Sequence, residues 1–393
     1  MKDYRSIFSL ILICLTSMNT AAQAQGSGET GGYKLVWEDN FDAAALDRDI
    51  WHVEVNGNGG GNQELQYYRA ENVSVGAEPL SGKKCLILTA RNEVFNGKPA
   101  TSGRVNTKCN VNILHGKIEA SIRLPRTANG LWPAFWMLGS DGEWPMCGEI
   151  DIMEMGAREG ISNGTQEKYF SGACHWGEVD NGGHPNYAIA TTNGSSLQDD
   201  FHLWTLVWDT DYIKMYLDLD KNPNAEPYYI MDISLAWAMN HPSRYLHQPS
   251  YILFNLAVGG NFPQIWDIKG VTALNNSNNY EAKMYVDFIK VYQKGTSDEM
   301  LAITPKNHPC PNTSAEPAEP ASTYTLRPNP AYTEITILGP SQPEVITIYD
   351  YAGKKVKTFA GTNTCDISDL SIGNYLLQLE TGKQKHTLRL LKK

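Results

Sequence analysis

The chain has 393 residues, a formal charge of −10 and 10% aromatic residues, with 10 Trp and 20 Tyr among them. That length holds two or three domains. The acidic balance argues against nucleic acid or an anionic membrane surface as a partner, and no apolar run is long enough to span a bilayer.

Residues 1–24 read as a secretory signal: Lys2 and Arg5 give a basic start, residues 7–15 an apolar run, and Ala22-Gln23-Ala24 a small-residue cleavage site. Cys14 follows a bulky Ile, so lipidation is not expected there. Six cysteines remain, Cys85, Cys109, Cys147, Cys174, Cys310 and Cys365. Their spacing does not match a zinc site, and buried small side chains are the default reading ahead of disulfides. Residues 26–32 form a flexible leader. Tyr33 opens a first strand and turn running to Asp42, with Trp51 in the same packing. Residues 57–62 are a Gly/Asn loop that leads into Gln63-Glu64-Leu65-Gln66-Tyr67-Tyr68.

Short apolar runs follow at 85–90, 103–107, 116–124 and 131–138, separated by turn residues and without an amphipathic helix. Such a series predicts an all-β sandwich or jelly roll. Trp132, Ala134 and Trp136 share one face of the last of these strands, Phe135 and Met137 the other. Two indoles on one face would floor a groove for sugar rings, which offer large apolar faces. Core packing is the alternative for either ring, and Trp144 is a further candidate for the groove.

Residues 144–156 read Trp-Pro-Met-Cys-Gly-Glu-Ile-Asp-Ile-Met-Glu-Met-Gly. Glu149, Asp151 and Glu154 thus fall within six residues. Glu149 and Asp151 alternate with apolar neighbours, as on a strand with one buried and one acidic face. Glu154 has the wrong parity. A β-bulge at Ile152-Met153 would return it to the acidic face. Glu149 and Glu154 would then stand roughly 13 Å apart at Cα. Leaning together, their carboxyl groups would end about 5–6 Å apart, near the ~5–5.5 Å of a retaining glycosidase. Like charges this close cannot all ionise freely, so at least one pKa should rise. The natural division is Glu149 as nucleophile, Glu154 as proton donor and Asp151 between them. A solvated acidic strand and a calcium site are the alternatives; calcium wants six or more oxygens, and no Asp-rich loop accompanies the strand.

Farther on, His175 and Trp176 close the run Gly-Ala-Cys-His-Trp, and residues 182–185 read as a loop. Residues 201–209 and 212–218 read as a hairpin of the opposite sheet, 233–239 as a short helix, and 251–260 as a buried strand with Asn255 and Asn261 as weak binding candidates. Asp287 interrupts the apolar strand 284–292; an unpaired buried Asp would be costly. Residues 294–322 turn to Ser, Thr, Asn, Glu, Ala and Pro and read as a linker. Residues 323–393 carry three more β segments, a small Ig-like β-sandwich.

The stretch Glu-Ile-Asp-Ile-Met-Glu, with Trp-Pro and Cys-Gly before it, resembles the active-site signature of glycoside hydrolase family 16, most of all its laminarinase-type endo-β-1,3-glucanases. The resemblance covers about residues 33–293. It implies a concanavalin-like jelly roll over 25–293 and the roles of nucleophile for Glu149, assisting carboxylate for Asp151 and acid/base for Glu154. It also implies that Asn62, Glu64 and Arg104 lie near the sugar, that His175 lies close to the acid/base, and that Asp287 is a side-chain ligand of a structural calcium. No cofactor is expected for catalysis. The extra Met separates the pattern from the lichenase pattern. An agarase-type or other β-galactan hydrolase, a transglycosylase and a non-catalytic glucan-binding protein stay open as alternatives. Residues 323–393 resemble the C-terminal sorting domain of type IX secretion: Pro-Asn-Pro-Ala from 328, Val-Ile-Thr-Ile-Tyr-Asp from 345, Gly373-Asn-Tyr-Leu and a basic end at Lys392-Lys393. A carbohydrate-binding module is the alternative, against which stands the absence of Trp there. The expectation is therefore an exported monomer, released or held at the cell surface, with a β-glucan and the type IX machinery as partners.

Overall fold

The computed structural model describes residues 31–179, 183–198, 200–234, 240–304, 324–339, 341–350, 354–381 and 384–393. The expected signal peptide, Cys14, Cys310, most of the helix expected over 233–239, most of the linker and the turn residues 351–353 and 382–383 lie outside the described residues. The chain divides into two compact units, residues 1–311 and 312–393.

The first unit is a jelly roll of two facing sheets, antiparallel except where Gln66–Tyr68 pairs in parallel with Ala100–Ser102. The outer sheet runs in the order Tyr229–Asp232, Tyr212–Leu217, His202–Trp208, Gly116–Arg123, Glu281–Gln293, Lys84–Arg91, Ala100–Ser102 and Gln66–Tyr68. The inner sheet runs Asn186–Thr192, Tyr169–His175, Glu149–Met155, Leu131–Gly139, Ser250–Val258, Arg104–Asn106 and His52–Val53. Alternation explains the layers. Ile118, Ile122, Trp204 and Trp208 of the outer sheet face Phe135, Met137, Ile150, Ile152 and Phe254 of the inner one, all within one buried cluster. Each such side chain contributes roughly 1.5–3 kcal/mol by leaving water. Ser250–Val258 is buried along its whole length, as befits a strand covered on both faces.

Four free cysteines, Cys85, Cys147, Cys174 and Cys365, are buried, whereas Cys109 is disulfide-bonded. Two of the strands that the sequence reading does not foresee are instructive. Met300–Ile303 pairs with Val111–Leu114 and extends the inner sheet, although composition had assigned it to the linker; four apolar residues suffice for a strand that an existing edge can template. Asn186–Thr192, mostly exposed, lacks the apolar alternation that would have revealed it and is held by pairing with Tyr169–His175.

The second unit contains a three-stranded sheet (Thr325–Arg327, Glu334–Leu338, Thr364–Asp366) and a four-stranded sheet (Lys355–Ala360, Val345–Asp350, Gly373–Thr381, Gln384–Lys392). Ile335, Ile337, Ile346, Ile348, Leu377, Leu379 and Leu390 are its core.

Candidate active site

The acidic strand Glu149–Met155 lies inside the inner sheet, between Tyr169–His175 and Leu131–Gly139. Its register carries one extra residue against both neighbours. Against one, Asp151 pairs with Ala173 and Glu154 with Ser171; against the other, Asp151 pairs with Trp136 and Met153 with Phe135. The bulge therefore falls at Ile152-Met153, where the parity of the carboxylates requires it. Glu149, Asp151 and Glu154 then stand opposite Leu138, Trp136 and Ala134. The face of Trp132, Ala134, Trp136 and Leu138 and the face of the three carboxylates line one cleft of about 340 Å³.

Each carboxylate has its own setting. The exposed indole of Trp144 donates from Nε1 to Glu149 Oε2 at 2.9 Å. Trp132 donates from Nε1 to Glu154 Oε1 at 2.8 Å. Asp151 is only 4% exposed; its Oδ2 lies 3.3 Å from His175 Nε2 and has no hydrogen-bond partner of good geometry. Burial raises all three carboxyls above the usual range. Asp151 adds to the rise at Glu149, and Glu154 adds to it at Asp151, while the Trp132 indole and His175 pull Glu154 partly back. Three carboxylates in one dry place cannot hold three charges, so protons are shared among them.

His175 pairs in register with Glu149 and contacts Asp151, and it is near enough to Glu154 to lower that carboxyl's pKa. Its Nδ1 meets His184 Nε2 at 2.9 Å, and the Trp144 ring packs edge-on against His184 at 4.5 Å. Among the described residues, Glu149, Asp151 and His175 form the group whose ligand atoms all lie within 4.8 Å of one another.

The wall opposite is built by residues 57–64. Gly60 has φ +59°, and a Cβ there would collide with the Glu64 carboxylate. Glu64 is buried and accepts from Gln66 Nε2 at 2.5 Å and from the Tyr68 hydroxyl at 3.2 Å. It is thus the anchor of the loop as well as a cleft residue. Glu64→Ala is expected to destabilise the unit by about 1–3 kcal/mol, because it leaves the Gln66 amide and the Tyr68 hydroxyl unpaired; denaturant unfolding of the variant measures this. Asn62 holds the loop to its neighbour, its carbonyl accepting from Asn261 N at 2.8 Å.

Arg104 Nε bonds Glu54 Oε1 at 2.9 Å, and its guanidinium lies 4.9 Å over the Trp136 ring. Trp136 Nε1 donates to Asn255 Oδ1 at 2.7 Å. Trp132 stacks on Phe262 at 4.7 Å and 19°. Each indole thus has one face already covered. Glu54, Phe262 and His184 were not singled out from the sequence. Glu54 sits between two valines and His184 in a Gly-rich turn, contexts too common to mark a site.

Asp287 lies in the outer sheet, apart from the cleft. Its carboxylate takes Lys83 Nζ at 2.5 Å and Ser121 Oγ at 3.4 Å. An ammonium already neutralises it, and these side chains make no oxygen shell of the kind calcium takes. The residues as placed do not fit the ion.

Comparison with known proteins gives two family matches: residues 63–227 to Glycosyl hydrolases family 16, and residues 325–393 to the Secretion system C-terminal sorting domain. The chain is 32% identical to a β-glucanase of Rhodothermus marinus, over 66% of its own length and 85% of that protein's. It is 32% identical to glucan endo-1,3-β-glucosidase A1 of Niallia circulans over 67% of its own length, but spans only 38% of that longer relative. Among solved structures, the Bacteroides ovatus mixed-linkage-glucan family 16 protein in complex with product is 40% identical, with a TM-score of 0.57 over 65% of this chain and 99% of that one.

Proposed function

The chain belongs to family 16 of the glycosyl hydrolases, and we propose that within it this protein is a retaining endo-β-glucanase that hydrolyses internal β-1,3 glucosidic bonds. The observation that carries the reading is the bulged strand, which sets Glu149, Asp151 and Glu154 on one face of a Trp-lined cleft. The sorting domain over residues 325–393 directs the chain through type IX secretion to the cell surface or beyond.

The chemistry follows from the settings of the carboxyls. Glu149, held by the Trp144 N–H, attacks the anomeric carbon as Glu154 gives its proton to the departing glycosidic oxygen. The C–O bond breaks, and the sugar remains as an ester on Glu149. Water, deprotonated by Glu154, then attacks the same carbon, releases Glu149 and yields the β-anomer. For Glu149 to be an anion in so buried a place, the proton of the group must sit elsewhere. Asp151, the most buried of the three and hydrogen-bonded with Glu149, is its natural holder. The Trp132 N–H occupies one Glu154 oxygen and leaves the other for the proton in transit.

The glucan reading draws on the names of the relatives, a glucan endo-1,3-β-glucosidase and a β-glucanase. The Bacteroides ovatus structure favours mixed β-1,3-1,4 glucan as a second substrate. Proton NMR of the first products from laminarin, barley mixed-linkage glucan and agarose tests both parts. The expected result is β-anomer from laminarin, with turnover of barley glucan alongside. Initial α-anomer would overturn retention; activity on agarose alone would overturn the substrate.

A further inference from the structure

The bulge that aligns the carboxylates leaves a backbone debt. Ile152 appears in neither ladder of its strand: pairing passes from Asp151 to Glu154 on one side and from Asp151 to Met153 on the other. A buried carbonyl without a partner is costly, and an irregular strand has no reason to keep one shape unless something holds it. The partner comes from the far sheet. Tyr228, which immediately precedes the outer-sheet strand Tyr229–Asp232, donates its hydroxyl to the Ile152 carbonyl.

Several features aim this hydroxyl. The Tyr228 ring is wedged edge-on against Phe170 at 4.9 Å and Trp204 at 6.0 Å. Its backbone is tied down by its N–H to the Met215 carbonyl at 2.9 Å. Gly172, on the strand beside the bulge, leaves the passage open. A Cβ there would come to 2.6 Å from Met215 Sδ, 3.2 Å from Tyr228 Cε2 and 3.4 Å from the Asp151 carbonyl. Burial pushes the phenol well above its usual range, so it remains a donor across neutral pH. The cleft side of the same strand carries Glu149, Asp151 and Glu154, which the bulge brings into one row.

We infer that Tyr228 is a positioning residue for the proposed glycosidase reaction: its hydroxyl pins the bulge at Ile152 and thereby fixes Glu154 relative to Glu149. Tyr228 does not line the cleft. It acts through the backbone, from the opposite face of the sheet. Reacting groups displaced by about 1 Å can lose about 100-fold in rate, so a single hydroxyl in the core has leverage over the cleft.

The test rests on the glucanase reading and is built to fail separately from it. Tyr228→Phe removes one oxygen and keeps the ring. Its kcat on laminarin is expected to fall about 10- to 100-fold, with KM within about twofold and an altered pH–rate profile, because the spacing of the carboxyls sets their mutual influence. Phe170→Leu loosens the same ring pocket but keeps the hydroxyl, and should preserve the pH profile. Backbone hydrogen exchange over residues 149–155 should accelerate in Tyr228→Phe and not in Phe170→Leu. Unchanged kcat and exchange in Tyr228→Phe, or equal kcat losses in both variants, would overturn the pin. Should Tyr228→Phe not fold, Gly172→Ala, which crowds the ring in place, must show the same split between kcat and KM, and normal kcat there overturns the inference. If the wild type turns over no β-glucan, the proposed function falls, and the exchange comparison still decides the pin.

Discussion

Glu149→Ala should lose about four or more orders of magnitude in turnover on glucan, and Glu154→Ala about two to four, with azide restoring products of opposite configuration. Without Glu149, the face it attacks from lies open. Azide enters there while Glu154 still protonates the leaving oxygen, and the product is the α-glycosyl azide. Without Glu154, Glu149 still forms the ester from an aryl glycoside, whose leaving group needs no proton. Azide then attacks that ester from the other face and gives the β-glycosyl azide. The two anomers differ plainly in their proton couplings. If both variants yield the same azide, or if Glu149→Ala yields the β-azide, the roles assigned here are wrong. Both variants should fold, since each side chain faces the cleft and neither belongs to the apolar core.

Asp151→Asn should reduce kcat by about 100-fold, the low end of what a positioned proton is worth, and at the same time stabilise the fold near neutral pH. The sign follows from the direction of its shift. Burial, and then the charge of Glu154, hold the Asp151 carboxyl well above its usual range. A carboxyl raised in the folded state contributes its stability in full below the unfolded pKa of about 3.9 and loses it as pH rises toward the folded value. At neutral pH the folded wild type therefore carries either a buried charge or a proton held against bulk solution. Asparagine fills nearly the same volume, keeps a polar group beside Glu149 and has no charge to bury. The gain should be on the order of 1–3 kcal/mol at pH 7 and should shrink as pH falls toward about 4. Thermal unfolding of both proteins across that range measures it. A variant less stable than wild type at pH 7 would mean that the carboxylate form is favoured in the fold.

The reach of the sequence followed the physics of each element. The bulge was legible because parity is a strict rule: Glu149 and Asp151 fix a face, and Glu154 can join them only through one extra residue. The shared face of Trp132 and Trp136 was legible for the same reason. What these rings touch was not, because Phe262 and Arg104 come from distant segments that only the closed sheets bring near. His175 was marked, but its place opposite Glu149 depends on strand register, which alternation in its own strand does not specify. The strand Met300–Ile303 was hidden by the polar composition around it. Asp287 was expected beside a metal ion and stands beside Lys83, a pairing across 204 positions of chain. Tyr228 gave no local signal, since its role lies in a carbonyl on the other sheet.

The three carboxylates sit on an internal strand, pinned on both sides by pairing, whereas the Gly/Asn segment 57–62 reaches the same cleft from an exposed loop. Heritable change meets these two parts with different consequences. An insertion in the strand would scramble the catalytic row at once and be purged. Replacement in the loop would reshape what the cleft admits and leave the bond-breaking groups where they are. The same division lets the loop's composition set what the cleft accepts without moving the carboxylate row.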